Sequence, residues 1–339
     1  MKALFLTAIG KTEIREIEIP IPGPEEVLLR IGMVGFCGGD LNGFKGLFEL
    51  QEYPNILGHE VGGTIEKVGT HVPEIFKEGM KATIYPYLNC GKCISCRKGR
   101  INACQDNKTM GVRRPGAMTK YITINWKDLF LSAKLSLREL ALVEPLTVGF
   151  HAAARGRVEK KDTVAVIGCG IVGMGAIAAS VNSGAEVIAI DIDETKMEVA
   201  KKIGAKHTIN TSQEDLHAAL NKITNGDGPD VIIEAVGTAA TYRSAVEEVA
   251  YTGRVVCIGY AKSPVEFNTG LFVRKEIEIL GSRNCTNEFP IVINYLETGK
   301  FPVEDVISKV VSIDDAGSTL ADWANNSTGI IKIMVDFDK

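Results

Sequence analysis

The pattern of apolar and polar residues changes three times along the chain. From residue 1 to about 86, apolar residues form short runs separated by Gly and Pro, as at 27–31 and 61–69. Runs of this length, bounded by turn-forming residues, predict strands. Many short strands with this punctuation predict a compact β-barrel-like domain.

Residues 87–116 differ because they are loop-like and rich in Cys, Gly, Lys and Arg. They contain too little apolar surface to order themselves by burial, so we expect a covalent or metal staple. From Leu137 the apolar period lengthens, and it predicts a helix that runs through Glu144 and Pro145 and ends near Gly156.

Strands and helices then alternate. The predicted strands are 163–168, 186–191, 207–209, 231–236, 254–258 and 277–281, and the predicted helices between them are 171–183, 194–203, 213–224 and 239–251. Apolar strands separated by helices predict an α/β fold with a doubly wound parallel sheet.

The last part of the chain exceeds this sheet. After about residue 284 the pattern predicts a helix (289–298), a strand (306–311), a helix (314–324) and a strand (330–337). These elements could return to the first domain and complete it, but the sequence alone leaves that return open.

Composition narrows the class of protein. The 339 residues are 45% hydrophobic, enough for two cores, and the net charge of −4 with no long basic run disfavours nucleic acid or an anionic membrane as partner. The uncharged run 163–185 is long enough to span a bilayer, but its five glycines and the break at Gly168 favour a buried strand, turn and helix. We find no cleavage site after the N-terminal apolar patch, and therefore expect a soluble, cytoplasmic protein.

A dinucleotide fingerprint follows the first strand of the predicted sheet. Gly168-Cys169-Gly170-Ile171-Val172-Gly173 opens an uncharged helix, and Asp191 ends the next strand. The glycines allow a sharp turn, approach of the pyrophosphate and close helix packing, while helix N–H groups favour the anion. A carboxylate at 191 accepts hydrogen bonds from the adenosine ribose and repels a 2′-phosphate, so we expect NAD rather than NADP.

Eight cysteines occur, and four of them form a metal-type motif: Cys90, Cys93, Cys96 and Cys104. Four thiolates are the closed tetrahedral set of a structural zinc. A 4Fe–4S cluster fits the spacing less well, and a redox pair would need a βαβ context. Cys169, Cys257 and Cys285 lie in apolar or strand-like stretches and are most simply small core residues.

A second group of metal-binding side chains is spread over roughly a hundred residues. Cys37 and Asp40 lie in a Cys-Gly-Gly-Asp motif, His59 and Glu60 in a Gly-His-Glu motif, and Glu144 precedes a proline. A thiolate, an imidazole and carboxylates are the ligand types of a catalytic zinc with an open position. The sequence therefore predicts two zinc ions, one catalytic and one structural.

With these motifs in this order, the chain resembles the zinc-containing medium-chain dehydrogenases over its whole length. Residues 144–152 (Glu-Pro-Leu-Thr-Val-Gly-Phe-His-Ala) are similar to sorbitol dehydrogenases and their polyol, sugar-phosphate and sugar-acid relatives. Residues 281–284 and Phe289-Pro290 resemble the sugar-acid branch, the hexonate 5-dehydrogenases.

The resemblance implies a fold and a division into domains. It implies a GroES-like β-barrel catalytic domain at 1–149, with the structural-zinc lobe at 87–116. It further implies a Rossmann NAD-binding domain at 150–284 and a return to the catalytic domain at 285–339. Related proteins are dimers or tetramers, so we expect a homo-oligomer.

The resemblance also implies roles for residues. Cys37 and His59 would be constant ligands of the catalytic zinc, and Glu144 the third protein ligand. Glu60 would exchange on and off the metal or accept a hydrogen bond through a water molecule. Asp40 would orient the His59 ring. The implied activity is an oxidoreductase acting on CH–OH, which transfers a hydride between NAD and a secondary alcohol of a polyol or sugar acid, hexonates favoured.

Two positions depart from the family pattern. Relatives usually have Ser or Thr after Cys-Gly, and often His five residues after the Cys, to carry the alcohol proton to solvent. Here these positions are Gly39 and Asn42, so we expect a relay through water, with Glu60 or Glu144 as candidate bases. Two alternatives stay open: a polyol or sugar-phosphate dehydrogenase of the sorbitol or galactitol-phosphate type, and a catalytically silent NAD-binding protein on the same fold, which only Gly39 and Asn42 favour.

Overall fold

A computed structural model describes residues 1–339, and its elements follow the predicted change from short strands to strand–helix alternation. The strands are β1 (Lys2–Ala8), β2 (Lys11–Glu16), β3 (Glu26–Gly35), β4 (Asn55–Ile56), β5 (Glu60–Val68), β6 (Lys81–Ile84), β7 (Tyr87–Leu88), β8 (Lys108–Thr109), β9 (Tyr121–Asn125), β10 (Leu129–Leu131), β11 (Thr163–Ile167), β12 (Glu186–Asp191), β13 (His207–Asn210), β14 (Val231–Glu234), β15 (Arg254–Cys257), β16 (Glu278–Gly281), β17 (Ile307–Ser312) and β18 (Lys332–Asp336).

The helices are α1 (Gly38–Phe44), α2 (Ile94–Arg97), α3 (Leu137–Arg155), α4 (Ile171–Asn182), α5 (Glu194–Ile203), α6 (Leu216–Thr224), α7 (Ala239–Glu248), α8 (Gly270–Lys275), α9 (Glu288–Leu296), α10 (Val303–Val306) and α11 (Ile313–Asn325). Two short 3₁₀ helices lie at Ile101–Ala103 and Trp126–Asp128.

The N-terminal and C-terminal strands share one sheet. Seven strands form it, in the order β10-β6-β5-β3-β18-β17, with β9 also paired to β3. β18 runs antiparallel to β3 and places Met334 opposite Gly35. The end of the chain therefore returns to complete the first sheet, and the β-rich architecture agrees with the expected GroES-like domain.

The second sheet is the predicted doubly wound one. Its six strands run in the order β13-β12-β11-β14-β15-β16, and every neighbouring pair is parallel. The central strand β11 is almost entirely buried, as expected for a sheet covered by helices on both faces. The predicted Rossmann sheet is confirmed, and all six strand ends that could hold a ligand lie along one edge.

The chain forms two compact units. One comprises residues 1–144, 289–299 and 307–339, and the other comprises 145–288 and 300–306. Residues 300–306, which we expected in the C-terminal return, lie with the nucleotide-binding unit, where Asp305 pairs with Lys202 of α5 at 2.5 Å. The functional boundaries at 149 and 284 stay a prediction.

Each unit has its own apolar core. Leu29, Ile31 and Val61 are among the fully buried residues of the first, and Ile188 and Ile232 among those of the second. No helix of the structure combines the length and the hydropathy that a membrane span needs. The uncharged run at 163–185 contains β11 and α4.

Candidate metal centres and nucleotide site

Cys37 and Asp40 are held by the start of α1. Cys37 is the N-cap, its Sγ accepts a hydrogen bond from Gly39 N at 3.2 Å, and Asp40 Oδ2 accepts from Cys37 N at 2.8 Å. This reciprocal capping needs the spacing of three residues that the motif provides. The Cys-Gly-Gly-Asp motif therefore forms the start of a helix.

Residue 39 matters because it lies beside the Cys37 sulfur. A Cβ at Gly39 would lie 3.6 Å from Cys37 Sγ. The Ser or Thr that the resemblance leads one to expect would therefore place its hydroxyl beside the thiolate. Glycine removes that hydroxyl from the immediate surroundings of Cys37.

Cys37, His59 and Glu60 form one compact group. Their ligand atoms all lie within 4.8 Å of one another, and His59 and Glu60 are 5% and 1% exposed. His59 Nδ1 and Asp40 Oδ1 are buried and have no hydrogen-bond partner within the protein. Because a metal-binding histidine usually donates its second ring N–H to a carboxylate, these two orphaned atoms fit a zinc site. The role of Asp40 as the group that orients His59 stays a prediction.

The electrostatics of this group also favour a cation. Burial lowers the pKa of His59, but the hydrogen bond to Cys37 and the charges of Cys37, Asp40 and Glu144 outweigh it and raise the pKa well above the usual value. Burial raises the pKa of Asp40, against the opposing charge of His59. The negative charges that stabilise a proton on His59 would also stabilise a metal cation. Metal binding would release that proton and leave the ligands deprotonated.

Sequence reasoning missed Lys332. Its Nζ lies 2.7 and 2.6 Å from the two carboxylate oxygens of Glu60 and 2.8 Å from Phe36 O. Both side chains of the pair are 1% exposed. A lysine in the apolar strand around Ile331 and Ile333 was the available signal, since a buried lysine needs a partner.

Glu144 lies outside the compact group of three. It is 3% exposed in α3, and the Tyr87 hydroxyl donates a hydrogen bond to Glu144 Oε1. Burial raises the pKa of Glu144, against the opposing charge of His59. The choice between Glu60 and Glu144 as the resting third ligand stays a prediction, as does the role of each.

The four cysteines of the lobe converge as the spacing predicts. The Sγ atoms of Cys90, Cys93, Cys96 and Cys104 lie within 4.8 Å of one another, and none forms a disulfide. Backbone N–H groups point at the sulfurs, for example Cys90 N at 3.2 Å from Cys104 Sγ. The hydrogen bond with Ser95 lowers the pKa of Cys93 to about 5, which favours the thiolate that binds metal. This donor set fits a structural zinc.

The fingerprint glycines take the positions that a dinucleotide site requires. Gly168 has φ +99°, and a Cβ at Gly173 would lie 1.8 Å from Gly168 O, so neither position accepts a side chain without strain. A Cβ at Gly170, the N-cap of α4, would meet no atom within 4 Å. That open space beside helix N–H groups is where a pyrophosphate fits.

Asp191 ends β12 beside this turn. Its Oδ2 accepts from Cys169 N at 2.6 Å, and its Oδ1 accepts from Ile192 N at 2.7 Å and Asp193 N at 3.0 Å. The carboxylate therefore ties its own loop to the fingerprint and keeps lone pairs for further donors. Its contact with a ribose stays a prediction.

Family models match both halves of the chain. A model described as "Zinc-binding dehydrogenase" matches residues 172–298, and one described as "Alcohol dehydrogenase GroES-like domain" matches residues 23–134. The first range includes part of the fingerprint, and the second includes the Cys37 and His59 motifs and the four-cysteine lobe.

Relatives match over nearly the whole chain. Sorbitol dehydrogenase of Bacillus subtilis is 33% identical over 99% of this chain and 97% of its own length. L-galactonate-5-dehydrogenase of Escherichia coli is 29% identical over 95% of each chain. The crystal structure of a putative zinc-binding dehydrogenase from Sinorhizobium meliloti 1021, bound to NADP, has a TM-score of 0.92 at 28% identity and covers 99% of this chain and 98% of that one.

Proposed function

This chain belongs to the zinc-containing medium-chain dehydrogenases, which use zinc and NAD or NADP to oxidise CH–OH groups, and from that premise we propose that it acts on a secondary alcohol of a polyol or sugar acid. Hexonates such as galactonate or gulonate are the favoured substrates. The observation that carries the proposal is the buried group of Cys37, His59 and Glu60, with the orphaned His59 Nδ1 facing no other partner.

In this proposal Cys37 and His59 hold the catalytic zinc, and Glu144 is its third protein ligand. Glu144 is preferred over Glu60 because Lys332 already engages both oxygens of Glu60. Asp40, whose Oδ1 is the second orphaned buried atom, is assigned the role of orienting the His59 ring. Zinc supplies the Lewis acidity that lowers the pKa of an alcohol.

The proton of the alcohol then needs a route that does not use residues 39 and 42. Glycine at 39 has no side chain, and Asn42 does not gain a proton at ordinary pH. With Glu144 assigned to the metal and one of its oxygens accepting from the Tyr87 hydroxyl, its carboxylate is a poor acceptor for this proton. Glu60 is the remaining candidate base, and we assign the first part of the route to water.

The cofactor half of the proposal is NAD in preference to NADP. The N–H groups at the start of α4 bind the pyrophosphate, and Asp191 accepts hydrogen bonds from the adenosine ribose. The loop hydrogen bonds of Asp191 support this role, because they hold the carboxylate at the end of β12 beside the fingerprint.

The test is an NAD-reduction screen of hexonates, pentitols, hexitols, sugar phosphates and primary alcohols, repeated after zinc removal. We expect turnover of a hexonate that disappears without zinc and returns when zinc is restored. Turnover of primary alcohols alone would rule out the sugar-acid assignment.

A second candidate, a catalytically silent NAD-binding protein, is favoured only by Gly39 and Asn42. It predicts zinc content and NADH binding equal to those of an enzyme, with no turnover of any compound in the same screen. Turnover of one secondary alcohol is enough to exclude it.

A further inference from the structure

The sheet order tells which strand ends lie under each half of the dinucleotide. Asp191 ends β12 and the fingerprint follows β11, so adenosine and pyrophosphate take those two positions. The next strands across the sheet are β14 and β15. The nicotinamide half must therefore run over the turns that follow these two strands, which we call the β14 turn (235–237) and the β15 turn (258–260).

Glu234, the last residue of β14, has a carboxylate that organises the β14 turn. It is 0% exposed, and its Oε1 accepts hydrogen bonds from Val236 N at 3.0 Å, Gly237 N at 2.7 Å and Thr241 Oγ1 at 2.7 Å. Thr241 lies in the first turn of α7, where it also completes a capping box with Thr238. One carboxylate oxygen thus fixes a strand end, a turn and a helix start.

The β14 turn packs closely against the β15 turn on one side and the fingerprint turn on the other. A Cβ at Gly259 in the β15 turn would lie 2.2 Å from Gly237 N and 2.8 Å from Glu234 Oε2. On the other side, a Cβ at Gly168 would lie 2.6 Å from Val236 Cγ2. A small displacement of the β14 turn therefore reaches both the fingerprint and the β15 turn.

Stability alone does not require a carboxylate here. Glu234 Oε2 is buried and has no hydrogen-bond partner within the protein, so part of the cost of burying this group is not offset. A buried polar group that is only partly satisfied suggests a constraint other than stability. Its three bonds all converge on backbone and helix start at the ligand-facing edge of the sheet.

We propose that Glu234 is a positioning residue for the nicotinamide half of the cofactor. It acts by holding the β14 turn in the one conformation that fits between the fingerprint and the β15 turn. The inference rests on the NAD-binding role of this sheet and adds a residue that the fingerprint pattern does not include.

The test compares Glu234→Ala and Glu234→Gln in binding of two ligands, NADH by fluorescence and AMP by competition. AMP carries only the adenosine half of the cofactor. Its affinity therefore depends on the site at the ends of β11 and β12 and does not depend on the β14 turn. We expect Glu234→Ala to weaken NADH binding by roughly tenfold, the scale of losing hydrogen bonds to a charged group, and AMP binding by less than about twofold. Glu234→Gln, which keeps an acceptor oxygen, should recover part of the NADH affinity, and it keeps the test valid should the alanine variant fail to fold.

Asp162→Asn is the matched control. Asp162 is 3% exposed and accepts hydrogen bonds from Glu159 N and Arg254, but it precedes β11 at the opposite edge of the sheet. We expect it to lower stability without changing the ratio of NADH to AMP affinity. Unchanged NADH binding in the Glu234 variants, or equal loss of NADH and AMP, would overturn the inference, whereas absence of NADH binding in the wild type would refute the proposed function instead.

Discussion

Lys332 and Glu60 form a buried ion pair that restricts what Glu60 can do. An ion pair that is 1% exposed on both sides is costly to break, since either charge left alone would be buried without compensation. Gly35 contributes to the site because a Cβ there would lie 2.0 Å from Glu60 Oε2. Lys332 engages both oxygens of Glu60 and so competes with a metal for that carboxylate, which is why we assign the third ligand to Glu144.

This leads to a prediction on stability. Lys332→Met should lower the free energy of unfolding by about 3–5 kcal/mol, because it leaves the buried Glu60 carboxylate without its charged partner. The double variant Lys332→Met/Glu60→Gln should recover most of that loss, as measured by urea unfolding in a double-mutant cycle. Losses that simply add would mean that the two groups do not depend on each other.

A second prediction concerns cofactor preference. Asp191→Ala should weaken NAD binding and reduce the preference for NAD over NADP by roughly tenfold, since hydrogen bonds to a charged group contribute about 1.5–3 kcal/mol. The control is Asp193→Ala, which removes the N-cap of α5 two residues away and should cost stability only. An unchanged ratio of NAD to NADP affinity in the Asp191 variant would count against its role.

Which residues the sequence could reveal depends on how far apart the partners lie. The four cysteines and the fingerprint glycines are local motifs, so their spacing was enough to predict where they converge. Lys332 lies 272 residues from Glu60, and Tyr87 lies 57 residues from Glu144. Those contacts follow from strand pairing and helix packing, which no local pattern contains.

At the scale of elements, α3 is tied to the first residue of α9 by a buried pair. His151 Nδ1 and Glu288 Oε1 lie 2.8 Å apart, with side chains 6% and 9% exposed, and Glu288 Oε2 accepts from Thr286 N at 2.5 Å. Burial alone would raise the pKa of Glu288, but His151 and the backbone N–H groups outweigh it and lower the pKa below 4.5. His151 thus holds α3 through a polar contact.

The lowered pKa of Glu288 predicts a pH dependence. Its folded-state pKa lies below the usual value of a glutamate, so the pair stabilises the fold fully at pH values above that usual value, and this contribution is lost as the pH falls through the folded-state pKa. Glu288→Gln should be about 1–3 kcal/mol less stable at pH 7 and should lack this part of the acid loss in urea unfolding. The exposed Glu214→Gln is the control and should follow the wild type. An acid loss of wild-type size in Glu288→Gln would contradict the prediction.

Elements of ordinary length were predicted, and very short ones were not. The six strands of the parallel sheet and the helices between them have strong apolar periods. α1 was missed because three of its seven residues are glycine, and α8 and α10 because they have only six and four residues. Short elements bury too few residues to produce a period, and tertiary contacts decide them.

At the scale of the whole molecule, the pattern of elements predicted a β-barrel-like domain and a doubly wound parallel sheet. It did not predict the strand order of either sheet or the return of the chain to the first one. The order of the parallel sheet, with β11 between β12 and β14, and the pairing of β18 with β3 are long-range features. They matter for function because β18 brings Lys332 to the Glu60 carboxylate, and because our proposal for the nicotinamide half depends on the sheet order. The motifs that carry the candidate metal ligands are each local in sequence, but the fold brings them together and supplies their surroundings.

The central claim is that one zinc is held by the Cys37 group and the other by the four-cysteine lobe, and that only the first is catalytic. The most direct measurement is the zinc content per chain of the wild type, Cys37→Ser and Cys93→Ser, with NAD reduction assayed on the same samples. We predict two zinc ions in the wild type, one in Cys37→Ser with activity abolished, and one in Cys93→Ser with its remaining zinc still able to support turnover while the chain stays folded. A wild type with fewer than two zinc ions would contradict the claim. So would a Cys37→Ser protein that keeps two zinc ions and still reduces NAD.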